Sequence, residues 1–287
     1  MKISKKVLIP VFATAMGLSV IGGISGAVAW YQYNTKVTAS FMGVTSADGG
    51  VLQVSDDNGT TWKRDIDFGS ASSKLHPVTY GALASNAALP STAPKMHPEC
   101  GVTDPSLWED ATLNRDYFQK TFKIRAQKLV NNEYVDTAAQ ISIKEFVLES
   151  ITSGKTDVTE AVRIHISDGT TNKLFSKSGG NTAVSGNLDL DGDTLADKKG
   201  GYVWDEHRDD VLTYGTEGNQ VSVALANDTE LFEVASGGST VTITIWLEGW
   251  QKLRSESMAM WDPSKDEGAT IHFGLTLQTP RSTFLDD

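Results

Sequence analysis

The chain has 287 residues, a net charge of −11 and one cysteine, Cys100. Because proteins bind nucleic acid mainly through Lys and Arg side chains that neutralise phosphates, this acidic balance argues against nucleic-acid binding. A single cysteine excludes an intrachain disulfide and a metal cluster built from cysteines. The length suits one large β-sandwich or two small domains, and it can bury a core large enough to be stable without disulfide bonds.

The first 29 residues have the features of a secretory signal peptide. Three lysines precede an apolar run over residues 7–24, and small residues with an A-x-A pattern end at Ala29. Cleavage there leaves residues 30–287 and lowers the net charge from −11 to −14, because it removes three lysines and no acidic residue. The alternative is a retained membrane anchor, since the run is near the lower limit of roughly 17 residues for a bilayer-spanning helix. We expect a bacterial or archaeal protein that is extracellular or on the cell surface, touching a membrane only through residues 7–24 if uncleaved.

The residues that follow the cleavage site predict a half-buried β-strand over 30–41. Polar and apolar side chains alternate, which places each set on its own face of a strand. One face carries Tyr31, Tyr33, Val37, Ala39 and Phe41. A strand freed at a new amino terminus can add to the sheet edge of another copy, because main-chain hydrogen bonds supply affinity and alternate side chains enter pockets. Pairing within its own chain is the alternative.

Further strand patterns are separated by turns and by one long irregular segment. Residues 47–50 form a Gly-rich turn, and residues from about 69 to 106 are rich in Ser, Ala, Pro and Gly, which indicates a loop or insertion packed on the core. The predicted later strands are 51–54, 121–128, 141–149, 162–167, 221–226, 241–247 and 271–277. Short helices are predicted over 105–116 and 252–260.

This order of elements predicts an all-β fold. Strands separated by turns without βαβ alternation favour an antiparallel β-sandwich, jelly-roll-like, preceded by the signal or anchor helix and carrying long irregular insertions. The domain prediction is therefore a signal or anchor over 1–29 and a sandwich over 30–287. The sandwich holds the insertion at about 69–106 and an acidic loop at about 187–210.

The acidic loop contains the sharpest local motif, a set of aspartates at alternate positions around a glycine. Ca²⁺ prefers six to eight oxygen ligands, and a loop whose alternate side chains point to one centre supplies them. We predict a structural Ca²⁺ ion bound by Asp189, Asp191, Asp193 and Asp197. A solvated acidic loop is the alternative.

Two further motifs are interpreted structurally. Residues 55–62 match the S-x-D-x-G-x-T-W "Asp-box" of sialidases, yet the match occurs once, so we predict a hairpin turn with Trp62 packed on it. Trp246 and Trp250 are interpreted as packing residues, with a sugar-stacking platform as the alternative. His165 and His272, inside strand patterns, are expected to face solvent or to satisfy a hydrogen bond. No catalytic motif stands out, and we predict that the chain is not an enzyme.

Several segments together resemble exported proteins of the TasA/camelysin type. The resemblance is carried by the signal with Gly22-Gly23 running into a Thr-rich strand, by the loop at 188–193, and by the strands at 243–250 and 271–278. It implies a jelly-roll subunit of an extracellular filament, such as one of a biofilm matrix, or of a surface layer. Its partners are then copies of itself, joined by addition of the N-terminal strand.

Two other functions remain open. The first is a membrane-anchored virion or envelope protein with a jelly-roll ectodomain, which would retain residues 7–24 as a helix. The second is a carbohydrate-binding module that uses Trp204, Trp246 or Trp250.

Overall fold

The structure, a computed structural model, describes residues 36–46, 50–67, 77–96, 110–154, 156–181, 220–249 and 269–279. Almost all regular structure in these ranges is β-strand, with one 3₁₀ helix at Thr156–Ala161. The strands are β1 (Lys36–Ser46), β2 (Gly50–Ser55), β3 (Asp65–Ile66), β4 (Pro77–Thr79), β5 (Lys95–Met96), β6 (Phe118–Val130), β7 (Glu133–Thr137), β8 (Ala139–Ser150), β9 (Val162–Ser167), β10 (Asn172–Ser176), β11 (Gly180–Asn181), β12 (Val221–Ala224), β13 (Glu230–Val234), β14 (Ser239–Glu248) and β15 (Thr270–Thr279).

The strands form two sheets. Sheet I has the order β13-β8-β15-β1-β3. Sheet II has the order β11-β12-β10-β9-β14-β4-β5, and β6 joins it by pairing with β14, β2 and β7. Along β6, the pairing with β14 ends near Ile124 and the pairing with β7 begins at Ala126. The β6–β7 hairpin therefore extends sheet II beyond the start of β14.

The two sheets share one hydrophobic core, to which the long strands contribute their inward-facing side chains. In β15 every second side chain is buried, whereas β14 is buried at every position from Ile243 to Glu248. Full burial of one such side chain contributes about 1.5–3 kcal/mol relative to exposure. Core residues from both sheets include Ile141, Ile143, Phe273, Leu275, Phe122, Ile124, Ile243 and Ile245.

The all-β prediction is confirmed, but the sheets are mixed rather than purely antiparallel. Parallel pairing joins β1 to β15, β10 to β12 and β14 to β4. A period of two identifies a strand and its buried face, whereas the direction of a neighbour depends on residues far away in the chain. The predicted helix over 105–116 is wrong in its described part, because residues 110–116 form bridges and turns.

The outer face of sheet II is covered over half of its width. Residues 80–94, which connect β4 to β5 inside the segment predicted as an insertion, pack against it together with residues near 111–117. A second apolar cluster forms there from Val78, Leu83, Ala111, Leu174 and Trp246. This half of sheet II is therefore buried on both faces, which explains why polar residues of β9 and β14 become buried.

Candidate functional site

The N-terminal strand lies inside the chain's own sheet over the part that the structure describes. β1 runs parallel to β15, from the pair Lys36 and Thr270 to the pair Ser46 and Thr279, with one irregularity between Ala39 and Phe41. The predicted assembly residues Val37, Ala39 and Phe41 thus belong to a paired strand, which is the intrachain alternative to donation. Tyr31 and Tyr33 lie outside the described residues.

The second edge of β1 is only lightly paired. The described partner on that side is β3, through the pairs Met42 with Ile66 and Gly43 with Asp65. β1 is held mainly by β15, whose Ile271, Phe273, Leu275 and Leu277 are all buried in the core. Removal of β1 would leave the main-chain hydrogen-bonding groups along one edge of β15 without partners, in a strand whose side chains are already buried.

The predicted calcium ligands Asp189, Asp191, Asp193 and Asp197 all lie outside the described residues, as does the rest of the loop at 187–210. Within the described ranges, no group of three or more His, Cys, Asp or Glu side chains is arranged to hold a metal ion.

A buried polar cluster lies on the covered half of sheet II. Trp246 is fully buried and its indole Nε1 donates to Glu248 Oε2 at 2.9 Å. Arg163 on the neighbouring strand β9 is 1% exposed and donates to the backbone carbonyls of Glu160 and Val162. Burial lowers the pKa of Arg163 to about 10, while the charge of Glu248 acts in the opposite direction. Trp246 therefore packs in the interior and offers no exposed ring to a sugar. Trp204 and Trp250 lie outside the described residues.

His165 connects this cluster to the covering segment, residues 80–94, which packs on the outer face of sheet II. Its Nε2 lies 3.0 Å from the carbonyl oxygen of Ala87, and because a carbonyl only accepts, Nε2 carries the hydrogen. Burial lowers the pKa of His165, and the bond to Ala87 partly offsets this. The rings of Tyr80 and Trp246 meet edge to face at 5.0 Å, and burial raises the pKa of the Tyr80 phenol. These contacts fasten residues 80–87 to sheet II.

The Asp-box segment folds as a self-contained turn after β2. Ser55 Oγ donates to Asp57 Oδ1 at 2.6 Å, and the amides of Gly59 and Thr61 donate to Ser55 Oγ and Asp57 Oδ1. Bonds from Ser55 and Thr61 hold the pKa of Asp57 well below its usual range. Asn58 and Gly59 both have positive φ, which suits an Asn-Gly pair. The turn places Trp62 4.2 Å below the Arg125 guanidinium, a cation–π contact.

Sequence reasoning missed the buried pair Arg163 and Glu248. Arg163 and His165 alternate with Val162, Ile164 and Ile166, a pattern typical of a strand with one face in solvent. Nothing local signals that a distant segment covers that face, so no sequence feature close to them identifies the cluster.

The described residues define an all-β protein of two packed, mixed sheets, with the N-terminal strand beside the last described strand. Within those residues, no helix has the length and apolar character needed to cross a bilayer. No protein family model matches the chain, and the searches of curated proteins and of solved structures also found no match.

Proposed function

We propose that this protein is a structural subunit of an extracellular filament or surface layer, and that copies assemble by exchanging the N-terminal strand. The observation that carries the proposal is the position of β1, which lies along β15 in parallel and is only lightly paired on its other edge. In an exchange, β1 of one copy takes the same place beside β15 of the next. Domain swapping of this kind preserves the contacts and changes only which chain supplies the strand.

The connection after β1 supports exchange. Only residues 47–49 separate β1 in sheet I from β2 in sheet II. Short hinge loops between two elements invite domain swapping.

The remaining parts of the proposal come from the sequence. The signal-like residues 1–29 support export, and the resemblance to TasA/camelysin-type proteins supports a jelly-roll subunit that polymerises outside the cell. The aspartates at 189, 191, 193 and 197 support a structural Ca²⁺ ion in the same domain.

A disulfide lock tests strand exchange. Thr38 and His272 are register partners in β1 and β15, and neighbouring strands bring such positions within disulfide reach. We expect the double variant Thr38→Cys with His272→Cys, in a Cys100→Ser background, to stay monomeric when oxidised as a monomer and to assemble after reduction. Oxidation after assembly should give a ladder of covalent multimers on a non-reducing gel.

The single variant Thr38→Cys in the same background is the control and should assemble under both conditions. Sedimentation velocity and negative-stain electron microscopy report the assembly state. Filaments formed by fully locked monomers would refute exchange of β1, and a parent protein that never assembles would refute the structural-subunit function itself.

A further inference from the structure

Two turns of the chain carry the acceptor sequence for N-linked glycosylation. That sequence is an asparagine followed, two positions later, by a serine or threonine, with any residue except proline between them. In this chain it occurs only as Asn58-Gly59-Thr60 and as Asn227-Asp228-Thr229. In exported proteins such asparagines are modified where they lie on surface loops, so the position of each turn in the fold is informative.

The first acceptor sequence lies in the turn after β2. Asn58 is exposed and has a φ of 61°, and the Thr60 hydroxyl donates to the carbonyl oxygen of Asp57 at 3.0 Å. The other bonds that hold this turn involve the Ser55 hydroxyl, the Asp57 carboxylate and main-chain amides. None of the bonds described in this turn uses the side-chain amide of Asn58. The amide is therefore presented at the surface, and its modification leaves the bonds of the turn intact.

The second acceptor sequence lies in the turn before β13 and has the same local geometry. Asn227 is exposed, and the Thr229 hydroxyl donates to the carbonyl oxygen of Ala226 at 2.8 Å. Asp228 has a φ of 60°, and its main-chain amide donates to the carbonyl oxygen of Ile143 on β8. The bonds that the structure describes here likewise leave the side-chain amide of Asn227 unused. In both turns the threonine hydroxyl bonds to the residue before the asparagine, and the asparagine side chain is presented to solvent.

We propose that Asn58 and Asn227 are N-glycosylated when the protein is exported, and that the sugar comes from a donor in which it is linked to a polyprenyl phosphate. This inference rests on the export that is part of the proposed function. In the transfer, the side-chain nitrogen of the asparagine forms a bond to the anomeric carbon of the sugar. The bond from that carbon to the phosphate oxygen breaks, its electron pair stays with the phosphate, and the amide proton passes to a base of the transferase.

Both sites lie away from the strand that the proposed function exchanges. In sheet I, β8 and β13 lie on the side of β15 opposite to β1, so the turn that contains Asn227 is at the other edge of that sheet. In sheet II, the six residues of β2 separate the turn that contains Asn58 from the connection at 47–49. Because a glycan is bulky and solubilising, these two surfaces should face solvent in the assembled filament.

Mass spectrometry of the exported protein tests the proposal. The protein is collected from the surface or the medium of the cells that make it and is digested with a protease. We expect the peptides with Asn58 and Asn227 to carry a sugar chain, seen as fragment ions that lose sugar units one at a time. Asn131 is the internal control, because it is exposed and has a φ of 50° but is followed two positions later by Glu133. Unmodified Asn58 and Asn227 in the exported protein would overturn the proposal.

Substitutions of the threonines test the role of the hydroxyl. Thr60→Val and Thr229→Val remove it, so each should abolish the glycan at its own site and leave the other site modified. The matched variants Thr60→Ser and Thr229→Ser keep the hydroxyl and should keep both glycans. Asn58→Asp should lose the first glycan while the turn persists, because aspartate also tolerates a positive φ. Glycans that persist in the valine variants would contradict the assignment.

A gain of modification gives the converse test. Glu133→Thr places a hydroxyl two positions after Asn131, at an exposed position of a strand, where threonine is favoured. We expect a third glycan on Asn131, because this variant then has an exposed asparagine in a turn and the hydroxyl that follows it. Glu133→Gln, which adds no hydroxyl, should leave Asn131 unmodified. An Asn131 that stays unmodified in Glu133→Thr would count against the proposal.

The outcomes separate this inference from the proposed function. If the protein is exported and assembles but carries no sugar, the glycosylation is wrong and the structural function stands. If the protein is exported and glycosylated but never assembles, the structural function is wrong and the glycosylation stands. If the protein stays in the cytoplasm, both are wrong.

Discussion

At the scale of single residues, burial rather than residue type decides what a polar side chain does here. Glu248 and Trp246 would be half-exposed on an open sheet, yet both are almost fully buried and hydrogen-bonded to each other. A buried charge requires compensation, and the Arg163 guanidinium on the adjacent strand is buried beside them. The sequence pattern of β14 predicted the inward residues correctly and did not distinguish an open outer face from a covered one.

The substitution Glu248→Ala should destabilise the fold by about 3 kcal/mol, because it leaves the buried charge of Arg163 and the indole N–H of Trp246 without their carboxylate. Urea unfolding followed by circular dichroism measures the free energy of unfolding. Glu145→Ala, at an exposed glutamate on β8, is the control and should change it by less than about 0.5 kcal/mol. Equal stability of the two variants would show that the buried cluster adds nothing to the fold.

At the scale of elements, specific side-chain contacts hold the covering segment, residues 80–94, against sheet II. Residues 77–79 and 95–96 pair as short strands, and the residues between them pack through Leu83, Ala87 and Leu89. His165 ties the middle of the segment to β9 through the carbonyl of Ala87. Burial of His165 favours its neutral form over the charged one.

The stability of the protein should therefore fall as the pH drops below about 6.5, the usual pKa of an unfolded histidine. The folded-state pKa of His165 is lowered, so the unfolded chain takes up a proton first and acid favours unfolding. Above that pH the histidine is neutral in both states and makes no such contribution. His165→Gln should flatten the dependence of unfolding free energy on pH between 7.5 and 5, measured by urea titration. The partly exposed His272, changed to Gln, serves as the control and should preserve most of the slope.

At the scale of the whole molecule, a Ca²⁺ ion in the proposed loop should stabilise the folded state because it neutralises acidic side chains. The chain has a net charge of −11, and four aspartates close together repel one another unless a cation neutralises them. We expect a chelator to lower the melting temperature by about 5 °C, and added Ca²⁺ to restore it, because a ligand that binds only the folded state stabilises that state. Differential scanning calorimetry checks this.

In the double variant Asp191→Asn with Asp193→Asn, the chelator should leave the melting temperature unchanged. In the control variant Glu133→Gln, it should lower the melting temperature as much as in the unaltered protein. A melting temperature that is insensitive to chelation in the unaltered protein would rule out a structural calcium ion.

The amino-acid sequence alone determined the class of fold and the inward face of β6, β14 and β15. The alternation in β6, β14 and β15 is local, and a pleated strand converts it directly into an inner and an outer side. The short strands β3, β4, β5, β7, β10, β11 and β13 were missed, because they are too brief to show a period.

Only the tertiary structure decided which strands are neighbours, whether they run parallel, and which half of sheet II is covered. Those properties come from contacts between residues tens to hundreds of positions apart, and no periodic pattern encodes them. The same holds for β1, since its alternation predicted a strand while its partner β15 lies at the other end of the chain.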